Sequence, residues 1–176
     1  MSLDEISTIR MEFKFCPLTK NYALAILAWQ YPAPYDVYNF KENNLQADLP
    51  YLLEPQHAFF AILNQQGELE GYCSFGSDGR VPGGDYSEPA LDIGMGIKPD
   101  LIGQGNGKHY AMAVARYGIQ RYQATQLRVT IAGFNQRAQR VWQSLEFQTV
   151  ELFYKTGSRE KFIVMVRCNT MSKPFS

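Results

Sequence analysis

Residues 92–107 read DIGMGIKPDLIGQGNG, and KHYAMAVARYGIQRY follows at 108–122. The opening of this stretch, 90–98, has the composition of a strand and is closed by Pro99. From 107 onward, Ala111, Val114, Ala115, Gly118, Ile119 and Tyr122 recur at i, i+3, i+4 spacing, which predicts an amphipathic helix ending near Tyr122. Between strand and helix, IGQGNGK places Gly103, Gly105 and Gly107. Glycines there remove Cβ atoms where backbone N–H groups converge, and the helix adds its unpaired N-terminal amides and its dipole. The predicted chemistry is a cradle for a phosphate or pyrophosphate. The other reading of the same residues is a plain strand-to-helix turn with glycine at its tight positions.

Three phosphate-loop patterns separate on single residues. A dinucleotide fingerprint, G-x-G-x-x-G, started at Gly103 needs glycine where Lys108 stands. A triphosphate loop, G-x-x-x-x-G-K-[ST], ends well at Gly107-Lys108 but finds Ile102 at its first glycine and His109 at its hydroxyl position. The third pattern, [QR]-x-x-G-x-[GA], is met at Gly105 and Gly107, with Ile102 where Gln or Arg is usual. Further on, LRVTIAGFNQRAQRVWQSLEF at 127–147 is a strand, an asparagine and a short helix. In this order, the two segments resemble the GNAT N-acetyltransferases, and the resemblance covers about 11–168. The third pattern is that family's acyl-coenzyme A loop. The later segment resembles its V…N-x-x-A…Y-x-K-x-G-F signature: Asn135, Ala138 and Phe147 align, Trp142 replaces the usual Tyr, and Glu146 the usual Gly. The D-x-G-x-G-x-x-P wording is similar to a bacterial subgroup of unassigned substrate.

The rest of the chain fits one α/β (α+β) domain. Alternation predicts strands at 11–16, 57–63, 69–75, 126–132, 147–155 and 161–168, and helices at 20–29, capped by Thr19, at 42–54 and at 135–145. Pro32 and Pro34 make 31–40, YPAPYDVYNF, an aromatic loop. Residues 76–89 form a turn-rich connection. The resemblance implies a mixed six- to seven-stranded sheet splayed at its centre, with helices on both faces. The domain is expected at 11–168, with an extension at 1–10 and a tail at 169–176.

What the resemblance implies for the site is specific. Acetyl-CoA is the expected cosubstrate. Its pantetheine arm is expected along Met95, Gly96 and Ile97, its pyrophosphate on Gly103, Gln104, Gly105, Asn106, Gly107 and Lys108, and Asn135 is expected to contact it directly or through water. The family's acid, a Tyr seven positions after the Asn, is absent, because an indole N–H at Trp142 is no acid in this pH range. Asp92 is a candidate general base; the alternative is an exposed strand-start carboxylate or one bonded to the turn at 76–89. Tyr31 and Tyr35 are candidate acceptor-pocket residues, and a tyrosine here is a candidate for the missing acid; the alternative is packing of a proline-stiffened loop.

Composition narrows the classes further. Lys+Arg and Asp+Glu are both 17, so the formal net charge is zero and a bulk electrostatic grip on nucleic acid or anionic lipid is not expected. Cys16, Cys73 and Cys168 are odd in number and far apart, and neither His57 nor His109 has a second ligand at metal spacing, so neither a disulfide framework nor a metal site is expected. No apolar run is long enough for a bilayer. The reading is a cytoplasmic protein, monomer or homodimer, the dimer motivated by the apolar terminal strand FIVMV. The expected function is transfer of an acetyl group to a primary amine (small metabolite, peptide N-terminus or lysine) by direct attack in a ternary complex. The alternatives are a GNAT-like acyl-CoA-binding module with weak or no catalysis, and a nucleotide-binding enzyme using IGQGNGK differently.

Overall fold

The computed structural model describes residues 12–169. Strand β1 (Lys14–Pro17) leads through Thr19 into α1 (Lys20–Leu27). The Thr19 hydroxyl accepts from the Tyr22 amide, satisfying one unpaired donor of the first turn. A loop containing a short 3-10 turn, Tyr35–Tyr38, leads to α2 (Leu45–Leu53). Then come β2 (Phe59–Leu63), β3 (Leu69–Phe75) and β4 (Leu91–Ile97), an antiparallel meander. Gly67 takes φ +82° in the β2–β3 turn, the conformation that its lack of Cβ permits. The chain closes with α3 (Gly107–Tyr122), β5 (Gln126–Ala132), α4 (Gln136–Ser144), β6 (Gln148–Tyr154) and β7 (Lys161–Cys168).

The strands form one seven-stranded sheet in the order β1-β2-β3-β4-β5-β7-β6. Alternation along each strand sends residues to opposite faces. On one face Phe60, Cys73, Phe75, Ile93 and Val129 pack against Ala111, Val114 and Ala115 of α3 and Trp142 of α4. On the other, Phe59 and Tyr72 meet Ala23 of α1 and Leu52 of α2. The expected helix-on-both-faces arrangement is what forms.

Two expectations are corrected. The first strand begins at Lys14 rather than 11, and Met11, like 1–10 and 170–176, lies outside the described residues. The terminal strand FIVMV is not an edge: β7 is paired with β5 on one side and β6 on the other. Its apolar run is covered by its own chain, which removes the reason for reading a dimer from it.

Candidate active site

Strand β4 is held differently along its two sides. Antiparallel pairing with β3 runs from Ile93 to Ile97. Parallel pairing with β5 is confined to Leu91↔Leu127 and Asp92↔Arg128. Beyond Asp92 the two parallel strands separate, and a cleft opens at their carboxyl ends, where open sheets bind ligands. The orientation of the backbone follows from the ladder. The Gly76 amide donates to the Asp92 carbonyl (2.9 Å) and the Lys98 amide to the Glu70 carbonyl (2.8 Å), so even-numbered residues turn their main chain toward β3. Met95 and Ile97 therefore turn theirs into the cleft. Gly96 does not; its main chain faces Tyr72 of β3, which corrects its place among the expected cofactor contacts.

The glycines of β4 have another use. A Cβ on Gly96 would lie 2.6 Å from Cζ of Tyr72, and one on Gly94 would lie 2.5 Å from Oγ of Ser74. Their absence lets two β3 side chains lie flat across β4 toward the cleft.

At the end of β4, Pro99–Leu101 makes one tight turn, and Gly103 and Gly105 follow at φ +80° and +78°. The Leu101 and Ile102 amides donate to Lys98 and Pro99 carbonyls, and the His109 and Tyr110 amides both donate to the Asn106 carbonyl. Among the described residues, none of the amides from Gly103 through Lys108 donates a main-chain or side-chain bond. Gly103, Gln104, Gly105 and Lys108 are exposed, and Asn106 and Gly107 are half-buried. Gln104 bends its side chain back to donate to the Asp100 carbonyl (2.9 Å), leaving the mouth of the turn clear. Gly107 sits close to α4, where a Cβ would be 3.0 Å from Val141 Cγ2. The first turn of α3 carries no acid but does carry Lys108 and His109, a placement that is unfavourable to the helix dipole and favourable to an anion. These donors fit a diphosphate.

Tyr31 reaches the end of β4 at the cleft. Its hydroxyl donates to the Ile97 carbonyl at 2.8 Å, on the side facing β5. Burial pushes its pKa up to about 12, so the hydroxyl keeps its proton. Asn39 fixes its backbone, accepting from the Tyr31 amide (2.7 Å) and donating to the Tyr31 carbonyl (3.3 Å). Tyr35 goes elsewhere, its ring lying 4.2 Å beneath the Arg137 guanidinium and against Phe134. Tyr38 also packs on Phe134. The aromatic loop thus touches β4 at Ile97 and the β5–α4 junction at Phe134 and Arg137, and spans the cleft.

Asn135, expected at the cofactor, is committed within the protein. Its Oδ1 accepts from the Ala138 amide (3.1 Å) as the cap of α4, and its Nδ2 donates to the Tyr38 hydroxyl (3.2 Å). Trp142 is buried, edge-on to Phe147 with ring centres 4.9 Å apart, and fills core volume.

Asp92 is the clearest correction. It is 1% exposed. Its Oδ1 accepts from Arg128 Nε at 2.6 Å, and its Oδ2 from Arg128 Nη2 at 2.8 Å and Arg80 Nε at 2.9 Å. Arg128 is itself buried, and its hydrogen bond to Asp92 raises its pKa above the ordinary guanidinium value. Both guanidinium groups lie over the Tyr86 ring. A carboxylate spent on two cations, on the still-paired half of β4, is not presented to an incoming amine. The partner in the 76–89 turn was one of the two sequence readings; the larger partner, Arg128, was not.

A second carboxylate, unremarked in the sequence, lies on this same face. Asp78 sits in the Ser77–Gly79 turn after β3, half-buried, accepting from Ser74 Oγ (2.9 Å) and the Tyr51 hydroxyl (2.8 Å). Asp78 lies over Gly94 of β4, where a Cβ would be 3.4 Å from Asp78 Oδ2.

A groove of about 560 Å³ lies on the far side of the β5 end, lined in part by Gly133, Phe134, Leu152 and Lys161. None of the cradle amides lines it, and the site is defined by donors rather than by that groove.

Residues 20–148 match the family model described as an acetyltransferase (GNAT) domain. The chain belongs to the GNAT acetyltransferase family. Solved GNAT structures share the fold. One from Bacillus anthracis superposes with a TM-score of 0.68 at 13% identity, covering 89% of this chain and 94% of that one. A mutant spermidine N-acetyltransferase from Vibrio cholerae gives 0.63 at 12% identity, over 89% and 93%. An aminoglycoside acetyltransferase in complex with coenzyme A gives 0.67 at 16% identity, over 90% and 95%. No curated protein matches the sequence. Among the described residues, no helix is long and apolar enough to cross a membrane, and no group of three or more His, Cys, Asp or Glu could hold a metal ion.

Proposed function

We propose that this GNAT protein transfers an acetyl group from acetyl-CoA to a primary amine by direct attack within a ternary complex. The observation that carries the reading is the run of unpaired amides from Gly103 through Lys108 at the mouth of the β4–β5 cleft. Acetyl-CoA supplies an acyl carbon activated as a thioester. The Gly103–Lys108 amides hold the diphosphate, with Lys108 adding charge. The cleft-facing main chain of Met95 and Ile97 pairs the pantetheine arm, and its N–H groups are positioned to take the developing oxyanion.

In the reaction the amine nitrogen bonds to the acyl carbon, the C–S bond breaks, the amine gives up a proton, and the thiolate sulfur takes one. We assign the last step to Tyr31, because the position of the family's acid on α4 holds Trp142, which is buried and whose indole N–H is no acid, while the Tyr31 hydroxyl lies at Ile97. Its hydroxyl is protonated throughout the working range and lies in the cleft. Tyr35 is a positioning residue that anchors the loop on Arg137. Asp92 keeps Arg128 neutralised under the paired half of β4 and does not act on the amine.

Isothermal titration with acetyl-CoA tests the binding half. Micromolar binding is expected; the absence of both heat and a thermal shift at millimolar ligand would overturn the reading. The buried Trp142 favours a second reading, an acyl-CoA-binding module without turnover. Thiol release with a panel of amines separates the two: rates above the blank on any amine exclude the module.

A further inference from the structure

We infer that Asp78 is the anchor for a second cationic group on the acceptor, so that the preferred substrate carries two positive centres joined by an apolar stretch. The inference rests on the acetyl-transfer reading and deepens it.

Two carboxylates flank β4 on one face, and their counter-charges differ. Asp92 is neutralised by Arg128 and Arg80. Asp78 accepts only from two neutral hydroxyls, those of Ser74 and Tyr51, and no ion pair to it occurs among the described residues. A half-buried carboxylate held in place by neutral donors has no cationic partner of its own and is free to take one from a ligand.

Its position sets which cation. Asp78 lies over Gly94, while the Tyr31 hydroxyl lies at Ile97. Three strand steps separate these residues, roughly 10 Å. At that distance Asp78 cannot take the proton of an amine attacking beside Ile97, but it can hold the far end of the same molecule. Between the two points the Tyr72 ring lies against Gly96, with Trp29 and Phe59 beside it, and supplies aromatic surface for a carbon chain. Asp78, Tyr72 and Gly96 are all half-buried, between the α1–α2 layer, whose Tyr51 reaches Asp78, and the 76–89 connection, which is pinned to β5 by the Tyr86–Thr130 hydroxyl pair. An acceptor with a carboxylate in place of the second ammonium would meet Asp78 as a like charge.

The test measures kcat/KM at saturating acetyl-CoA for n-hexylamine, 1,6-diaminohexane and 6-aminohexanoate, with wild type and Asp78→Asn, alongside acetyl-CoA titration of both. In wild type the diamine is expected to lead the monoamine by about tenfold through KM, with the amino acid last. Asp78→Asn reduces the diamine's lead to within about twofold and leaves acetyl-CoA affinity unchanged. Equal rates for monoamine and diamine in wild type, or an undiminished lead in Asp78→Asn, overturn the inference; the latter with a lowered Tm makes Asp78 a staple between α2 and the sheet. The wild-type panel decides even if the variant does not fold. Absence of acetyl-CoA binding to wild type is a separate failure, which removes the transfer reading and this inference together.

Discussion

The two halves of β4 are built from the same kind of sequence and do opposite things. Around Leu91 and Asp92 the strand is paired to β5, the Asp92 carbonyl accepts from the Gly76 amide on the other side, and the one charge it carries is buried against Arg128. From Met95 to Ile97 it is paired only toward β3, half-exposed, and met from above by a tyrosine hydroxyl. The difference is that the carboxylate is sealed against cations while the phenol reaches an open strand, which supports the proposal that Asp92 serves stability and Tyr31 chemistry. It also locates the cost of a mistake: a substitution in the first half is felt in folding, one in the second half in turnover.

The largest expected effect tests the sealed half. Asp92→Ala leaves the buried Arg128 without its partner, and removal of one member of a buried pair costs about 3–5 kcal/mol. A fall in Tm of roughly 10 °C is expected by calorimetry. A variant that keeps its Tm but loses kcat would return Asp92 to catalysis and break the comparison.

Next comes the open half. Tyr31→Phe is expected to lower kcat about a hundredfold, within the range for a proton-transfer group, with acetyl-CoA affinity unchanged. The same residue makes a pH prediction. Its folded-state pKa is near 12 against an ordinary 10.0, so the neutral hydroxyl stabilises the fold fully below pH 10 and that contribution fades as pH rises toward 12. Thermal scans from pH 8 to 11 should show wild type losing stability more steeply above pH 10 than Tyr31→Phe; parallel curves would place the hydroxyl in water.

Much of the fold is legible because its signals are local. Thr19, the Gly67 turn and the periodicity of 111–122 each report within one element, and α3 and β5 end where the pattern says. The candidate site is legible where a turn needs glycine, as at Gly103 and Gly105, and where the aromatic loop marks Tyr31. Asp92 was not, because its partner Arg128 is brought opposite by parallel pairing across a 36-residue separation. Asp78 gave no signal of its own in a turn-rich segment; the register that sets Tyr72 and Ser74 opposite Gly96 and Gly94 is what exposes it. The place of β7 was also hidden, since apolarity does not distinguish an inner strand from an edge.

Smaller effects sharpen the contrast. Gly96→Ala drives a methyl into the Tyr72 ring and is expected to cost about 1–3 kcal/mol, read as a Tm lower by several degrees. No change would mean that Tyr72 is free to leave β4. Smallest is Lys108→Ala, expected to weaken acetyl-CoA roughly threefold at low salt and negligibly at 0.5 M, because an exposed charge is screened. A loss that persists in high salt would make Lys108 a direct, desolvated ligand.

The loop from Tyr31 to Tyr38 fastens to both lips of the opening, by the Ile97 carbonyl on one side and by Phe134, Asn135 and Arg137 on the other. Strand separation is therefore not a free coordinate: any widening must stretch or release one of these moorings. On the acetyl-transfer proposal, entry of a long thioester and exit of its thiol product would share this one crossing, and the weaker mooring would set how often it opens.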